Sequence, residues 1–70
     1  MQIHEFFAQV DQRNKFNKRE RIGESAFKIL CEIRPDLAEK LKFSPIDPYY
    51  LTDKNQSVWT KFVCFIKDNW

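Results

Sequence analysis

The side chains with the most obvious capacity for chemistry are one histidine, two cysteines and a few serines. His4 is the only histidine, so any Ser–His or Cys–His nucleophile pair must use it as the base. Its conceivable partners are Ser25, Ser44, Ser57, Cys31 and Cys64. A general base needs fixed geometry before a tuned pKa, and the only carboxylate next to His4 in sequence is Glu5. We therefore expect no catalytic residue and a protein that is not an enzyme.

Metal and phosphate chemistry also lack their usual patterns. A zinc site needs about four ligands, and His4, Cys31 and Cys64 show no paired ligand spacing. Gly23 is the only glycine, so no glycine-rich loop is available to hold a phosphate. Four acidic residues are candidates for a general acid–base pair, but three of them have a capping or helix-dipole explanation. They are Asp36, Glu39, Asp47 and Asp53. The expectation is no metal and no cofactor.

A cluster of positive charge is the main local charge feature. Five basic residues occur within nine positions, against the single acidic residue Glu20. They are Arg13, Lys15, Lys18, Arg19 and Arg21. Several begin a predicted helix, where the helix dipole favours negative charge, so helix stability does not explain them. One interpretation is a contact with phosphate or an acidic partner. The preferred one is a solvated face, partly paired through Glu24 with Arg21 and Lys28.

Aromatic residues are the second unusual feature. The chain has seven Phe, two Trp and two Tyr among 70 residues. A chain of this length forms one domain, residues 1–70, and buries only part of its surface. Each ring can bury roughly 150–250 Å². We therefore expect the aromatics to build the core and, where they exceed its needs, a recognition surface.

Four aromatic residues are candidates for that surface. Tyr49 and Tyr50 lie in a proline-containing segment, and Trp59 and Trp70 lie in the last predicted helix. Adjacent tyrosines on a helical turn point in different directions, so one can join the core while the other faces water. The last helix carries two apolar stripes, more than one packing face needs. Each ring is core or interface, and the sequence leaves both open. With the five basic residues, these four form the predicted partner-binding set.

The spacing of apolar residues determines the expected fold. Spacings of three and four predict helices over residues 2–13, 18–33, 35–42 and 54–69. No segment alternates with a period of two. The predicted class is all-α, a small bundle of three main helices with one or two short helices and a proline-rich corner, residues 43–53. One of the short helices is a single turn through residues 49–51.

Polar residues next to these helices predict their caps. Asn17 with Glu20, and Asp53 with Gln56, have the spacing of a capping box. Gly23 inside the second helix indicates a close approach, which we assign to a Phe of the first helix. The predicted core consists of Phe6, Val10, Ile22, Ala26, Leu30, Ile33, Leu37, Leu41, Phe62 and Ile66.

The cysteines and the N-terminus bear on the cellular compartment. Cys31 and Cys64 lie in apolar runs, which predicts buried, free thiols in a reducing cytoplasm. The alternative is one disulfide that joins two helices. Residues 1–10 lack the pattern of a signal peptide. The apolar runs are shorter than the roughly 20 residues that span a bilayer. We expect a cytoplasmic protein that does not bind membranes.

A further pattern runs through the second half of the chain. Its residues are Gly23, Phe27, Leu30, Pro35-Asp36-Leu37-Ala38, Asp47-Pro48-Tyr49-Tyr50, Trp59 and Phe62. On these residues, positions 19–70 resemble a group of short helical proteins of bacteria and their phages. The chain departs from that group at Phe43-Ser44-Pro45, where its members tend to carry a Gly-Thr pair. The resemblance implies a compact helical domain and supplies no reaction, ligand or site.

These observations favour recognition over catalysis. The net charge of +2 is too small to indicate a nucleic-acid partner by itself. The leading hypothesis is a small protein-binding module, in the manner of a phage-type inhibitor or adaptor of host machinery. The alternatives are a nucleic-acid-binding protein that uses residues 13–21, and a structural subunit of a larger assembly. A homodimer through the last helix is a further option, because a surplus apolar face can pair two copies.

Overall fold

The computed structural model describes all 70 residues, which form four α-helices and no β-strand. The helices are α1 (Ile3–Phe16), α2 (Ile22–Ile33), α3 (Pro35–Leu41) and α4 (Ser57–Asn69). α2 packs against both α1 and α3. The predicted all-α class is confirmed, with a non-helical proline-rich corner between α3 and α4. None of the helices combines the length and the apolar character needed to cross a membrane.

The start of α2 differs from the prediction. The helix begins at Ile22, four residues later than expected, and residues 17–21 form a turn that we call the α1–α2 turn. The capping box of Asn17 and Glu20 is absent, because the Glu20 carboxylate accepts hydrogen bonds from side chains elsewhere. Partners on two helices therefore replace the local cap. These donors are Arg13, Ser25 and Lys28.

The corner and the start of α4 also differ from the prediction. The expected helical turn is a hydrogen-bonded turn without helix, in which the Leu51 N–H donates to the Pro48 carbonyl at 2.8 Å. α4 begins at Ser57, three residues later than expected. The Gln56 side-chain oxygen accepts from the Asp53 N–H at 3.2 Å, as a capping box requires. Gln56 is itself the N-cap of α4, so Asp53 lies in a turn before the helix and does not cap it.

The core matches the predicted set except at one residue. Nine of the ten predicted positions are buried, and Ile33 is half-buried. The full burial of such side chains stabilises the fold by about 1.5–3 kcal/mol each. The core is also larger than predicted, because α2, α3, the corner and α4 each add one residue. The added residues are Ile29, Ala38, Leu51 and Trp59.

Gly23 is a site of close approach, but its neighbour is not a Phe of α1. The Gly23 N–H donates to the Leu51 carbonyl at 3.0 Å. A Cβ atom at Gly23 would overlap the Pro48 carbonyl oxygen and would lie 2.9 Å from the Leu51 Cβ. The expected packing of a Phe ring is therefore wrong. The glycine is needed because the backbone of the corner lies directly on α2.

The cysteines are free, as expected, but both are exposed, so their predicted burial is wrong. Cys31 lies two residues after Ile29, and Cys64 lies two residues after Phe62, and both of these neighbours are in the core. Two residues correspond to about 200° around a helix. Both side chains therefore point away from the core although apolar residues surround them in sequence.

Candidate recognition surface

The corner is held against the bundle by buried residues and by backbone hydrogen bonds. Pro48 and Leu51 are buried. Besides the bond between Gly23 and Leu51, the Arg21 Nε donates to the Tyr49 carbonyl at 3.2 Å. The corner is therefore a fixed loop, and side chains that point outward from it have defined positions.

One carboxylate determines the backbone geometry on the outer side of the corner. Asp47 Oδ2 accepts a hydrogen bond from the Phe43 N–H at 3.1 Å. Asp47 Oδ1 accepts from the Tyr49 N–H at 3.0 Å. Because both bonds end on the same carboxylate, the two ends of this loop are close in space. The Asp47 carboxylate therefore ties the backbone at Phe43 to the backbone at Tyr49.

Phe43 is exposed in a backbone conformation that phenylalanine rarely adopts. It follows Lys42, the C-cap of α3, and has a φ of 63°. Left-handed backbone at this position is usually a glycine, since a Cβ atom disfavours it. The Phe43 side chain is 90% exposed, and its ring contacts the Lys42 ammonium at 5.4 Å from the ring centroid. The predicted set does not include Phe43, although a large apolar residue outside every helical stripe is a detectable signal.

The two tyrosines differ in burial. Tyr49 is half-buried and packs edge-to-face against Phe27, with ring centroids 5.8 Å apart. Tyr50 is 80% exposed and contacts Tyr49 in an edge-to-face arrangement at 5.1 Å. The Arg21 guanidinium lies 5.4 Å from one tyrosine centroid and 5.3 Å from the other. We call Arg21, Phe43, Tyr49 and Tyr50 the corner surface.

The tryptophans of α4 serve the fold. Trp59 is 8% exposed and packs on Phe62 with ring centroids 5.3 Å apart, so of the two options that the sequence left open for this ring, the structure shows the core. Trp70 is half-buried against Phe6 at 5.4 Å. Its Nε1 donates to the Met1 carbonyl at 3.2 Å, and Arg34 lies over its ring. Both indoles thus pack on the core, Trp59 fully and Trp70 in part, and the partial exposure of Trp70 agrees with its place among the candidates.

The outer side of α4 also bears on the homodimer. Its exposed residues are polar apart from the thiol of Cys64. Val58, Val63 and Phe65 are part-buried against the core. A homodimer through the last helix stays a prediction, and these part-buried residues are the apolar surface that it has available.

The basic residues divide into a paired group and an unpaired group. Arg13 pairs with Glu20 at 2.8 Å, and Arg21 pairs with Glu24 at 3.1 Å. Lys15, Lys18 and Arg19 are exposed and form no ion pair. The predicted pairing through Glu24 is thus present, and it leaves three cations free.

Glu20 is the centre of a charged network beneath the α1–α2 turn. Its carboxylate accepts from Arg13 at 2.8 Å, from the buried Ser25 hydroxyl at 2.6 Å and from Lys28 at 3.0 Å. These hydrogen bonds, above all the one from Arg13, lower the pKa of Glu20 from 4.5 to about 2. The Asn14 side chain also donates to the Glu20 carbonyl at 2.9 Å. The network therefore fixes the turn to both helices.

The candidate chemical residues are not assembled into a site. No group of three or more His, Cys, Asp or Glu side chains is placed to hold a metal ion. His4 is exposed on α1. Cys31 and Lys42 line a small cleft of about 160 Å³ between α2 and α3. Although Cys31 is exposed, the protein atoms of the cleft partly desolvate its thiol and raise its pKa, which leaves less thiolate at neutral pH.

Comparison with known proteins identifies no relative, so a functional assignment depends on the geometry of the structure. No protein-family model matches the sequence, and no curated protein or solved structure matches it either. The features available for a functional argument are therefore the corner surface and the unpaired cations near the α1–α2 turn.

Proposed function

We propose that this protein is a non-enzymatic binding module that docks onto another protein through the corner surface. The observation that carries the proposal is the exposure of Phe43 and Tyr50 on a loop that is otherwise fixed to the core. These two rings bury little surface within the fold, whereas Tyr and Arg are among the residue types that most often dominate binding energy at interfaces. The corner surface contains both types.

The backbone at Phe43 supports a role outside folding. A left-handed conformation costs a non-glycine residue about 1–2 kcal/mol. The ring gives no packing in return, because it is almost fully in water. A strained residue with an unused side chain is typical of functional positions. The proposal explains this cost by contacts that form only when a partner is bound.

The anchoring of the corner supports the same conclusion. Binding is weakened when loops must become ordered on contact. Pro48, Leu51 and the Asp47 carboxylate already order this loop in the free protein. The corner surface is thus pre-organised for docking. An inhibitor or adaptor acts by occupying a surface of its target and needs no catalytic group, so the proposed function extends to these roles.

Affinity capture with matched variants tests the proposal. The tagged protein, Tyr50→Ala, Phe43→Gly and the control Phe16→Ala are each incubated with nuclease-treated extract of the source organism. Phe16 is a suitable control because it is 76% exposed but lies outside the corner. We expect a protein that the parent and Phe16→Ala retain and that both corner variants lose. Equal capture by all four proteins, or capture lost only with Phe16→Ala, would contradict the proposal.

A further inference from the structure

A second exposed surface lies at the end of α1 and has a different composition from the corner surface. Lys15, Phe16, Lys18 and Arg19, which we call the basic patch, line one open cleft of about 430 Å³ together with Asn17. Phe16 is 76% exposed, and it lies among three cations that form no ion pair. Neither packing nor pairing explains this set.

Nearby acidic groups do not neutralise the basic patch. Glu20 is held by Arg13 and Lys28, and Glu24 is held by Arg21 and Lys28. The charge of each carboxylate is therefore already balanced by residues outside the patch. Lys18 and Arg19 also precede the N-terminus of α2, where positive charge is unfavourable to the helix. The three cations thus form a local excess of positive charge that is available to an external anion.

We infer that the basic patch binds single-stranded nucleic acid, with phosphates on the three cations and one base stacked on Phe16. Single-strand binders combine a positively charged groove with exposed aromatic rings, because every base has a face that can stack. Lys15 precedes Phe16, and Lys18 and Arg19 follow it, in the lining of the same cleft, so the ring has cations on both sides in sequence. This inference is independent of the proposed function, since the patch shares no residue with the corner surface.

The structure favours a single strand over a duplex. Duplex readers usually insert a helix into the major groove and contact bases with its first residues. The helix that follows the patch is α2, and its first turn is covered, with Ile22, Gly23 and Ser25 all buried. Leu51 and Pro48 of the corner lie on that turn. α2 therefore cannot enter a groove with this end, which leaves the end of α1 and the α1–α2 turn to contact nucleic acid.

Fluorescence anisotropy with a labelled 15-nucleotide oligothymidylate tests the inference. We expect weak binding, with a Kd of about 10⁻⁴ M at low salt, because only about three phosphates are neutralised. The slope of log K against log salt should be about −2, from roughly −0.7 for each of three cations. In Lys18→Ala/Arg19→Ala the slope should fall to about −0.7, because one cation is left.

Phe16→Ala separates stacking from charge. It should weaken binding by at least about fivefold, the equivalent of one stacked base, with no change in the salt slope. Phe16→Trp should restore binding. Phe43→Ala is the matched control, since its ring is as exposed and also lies beside a lysine, and it should leave binding unchanged. Thermal melts of all variants confirm that they fold.

Four results would overturn the inference. The first is absence of binding at about 1 mM protein and low salt, well above the expected Kd. The second is equal or tighter binding to the duplex of the same sequence. The third is an affinity that Phe16→Ala does not change, which indicates ion exchange alone. The fourth is equal, Phe16-dependent binding to a polyglutamate peptide, which indicates an acidic protein as the partner.

Discussion

The corner and the α1–α2 turn both join helices, but different forces hold them to the bundle. The corner is held by steric fit and backbone hydrogen bonds, with Pro48 and Leu51 packed on the one glycine of α2. The α1–α2 turn is held by charge, through the Glu20 carboxylate and its three donors. An exposed Phe lies at the start of each segment, since Phe16 is the last residue of α1 and Phe43 is the first residue of the corner.

This difference shows how a chain of this size can expose aromatic side chains while the segments next to them stay fixed to the helical bundle. A display loop must be fixed at its inner side, and the sequence provides two independent means of doing so. Steric anchoring should respond to side-chain volume and remain insensitive to pH. Electrostatic anchoring should respond to charge and pH and tolerate changes of volume. A substitution that breaks one anchor should therefore spare the other.

Among the substitutions that break an anchor, Gly23→Ala should have the largest effect. The added methyl group overlaps the Pro48 carbonyl, so the corner must move away from α2 and the bond from Gly23 to Leu51 must lengthen. Overpacking of this kind costs about 1–3 kcal/mol or more, although Ala is intrinsically about 1 kcal/mol better than Gly within a helix. We expect a net loss of about 2 kcal/mol in urea unfolding. The control Gln9→Ala, at an exposed position of α1, should be neutral within about 0.5 kcal/mol.

The reaction rates of the two thiols report which part of the structure opens in Gly23→Ala. Cys31 lines the cleft next to Lys42, where the corner begins, whereas Cys64 is exposed on the outer side of α4. Both thiols should react with a disulfide reagent in the native parent protein, because both are exposed. If the corner moves, Cys31 should react faster in Gly23→Ala and Cys64 should not change. A variant as stable as the parent, with unchanged Cys31 reactivity, would show that the corner is not sterically locked.

Glu20→Gln should have an intermediate effect. The amide can still accept from Ser25, but the charge that holds Arg13 and Lys28 is lost. Hydrogen bonds to charged groups contribute about 1.5–3 kcal/mol when buried. Because this site is partly exposed to solvent, we expect a loss of about 1–2 kcal/mol at pH 7. Cys31 reactivity should not change, since the corner keeps its own anchor.

The pH dependence of stability isolates the charge of Glu20. The folded-state pKa lies below its ordinary value, at about 2 against 4.5, so the folded protein binds fewer protons than the unfolded chain between these values. Its contribution is fully present above about pH 4.5 and is lost as the pH falls toward 2. The stability difference between the parent and Glu20→Gln should therefore shrink across that window. A difference that stays constant from pH 7 to pH 2.5 would mean that the network is not electrostatic.

Phe43→Gly should stabilise the protein slightly. Removal of the left-handed strain gains about 1–2 kcal/mol, and the greater freedom of glycine in the unfolded chain costs about 0.5–1 kcal/mol. The net gain should be about 0.5–1 kcal/mol. Phe43→Ala is the control, because it removes the ring but keeps the Cβ atom and hence the strain. Equal stability of the Gly and Ala variants would indicate that the backbone at Phe43 is not strained.

Tyr50→Ala should have the smallest effect on folding. Its ring is 80% exposed, and substitutions at such positions usually change stability by less than about 0.5 kcal/mol. Trp59→Ala provides the contrast, with an expected loss of about 3–5 kcal/mol from the core. Thermal melts of the two variants side by side make this comparison. A large loss in Tyr50→Ala would place its ring in the core and remove it from the corner surface.

The sequence predicted those features of the fold that depend on local periodicity. The spacing of Ile22, Ala26 and Leu30 was sufficient to find α2 and its buried face. The same periodicity also indicates that Cys31 is exposed, because Cys31 lies opposite the buried Ile29 on the helix. An apolar run by itself predicts burial of Cys31, whereas the position of Cys31 around the helix predicts exposure.

Features that depend on distant partners were not predictable in the same way. Gly23 indicated a close approach, but its neighbour Pro48 is 25 residues later, and no local pattern links the two. Glu20 had the spacing of a cap, yet donors on α1 and α2 stabilise its carboxylate more than a single backbone N–H does. For the candidate surface, the sequence names both tyrosines and all the basic residues as candidates. It does not separate the buried Trp59 from the exposed Tyr50, because the burial of Trp59 depends on how α4 docks.

If the corner surface docks onto another protein, site-specific photo-cross-linking from that surface should capture the partner. A benzoylphenylalanine in place of Tyr50 reports contacts of the corner, and the same residue in place of Lys67, exposed on the last turns of α4, is the control. In cells of the source organism, we predict a discrete cross-linked protein from position 50 and none from position 67. No cross-link from position 50, or the same products from both positions, would contradict the account.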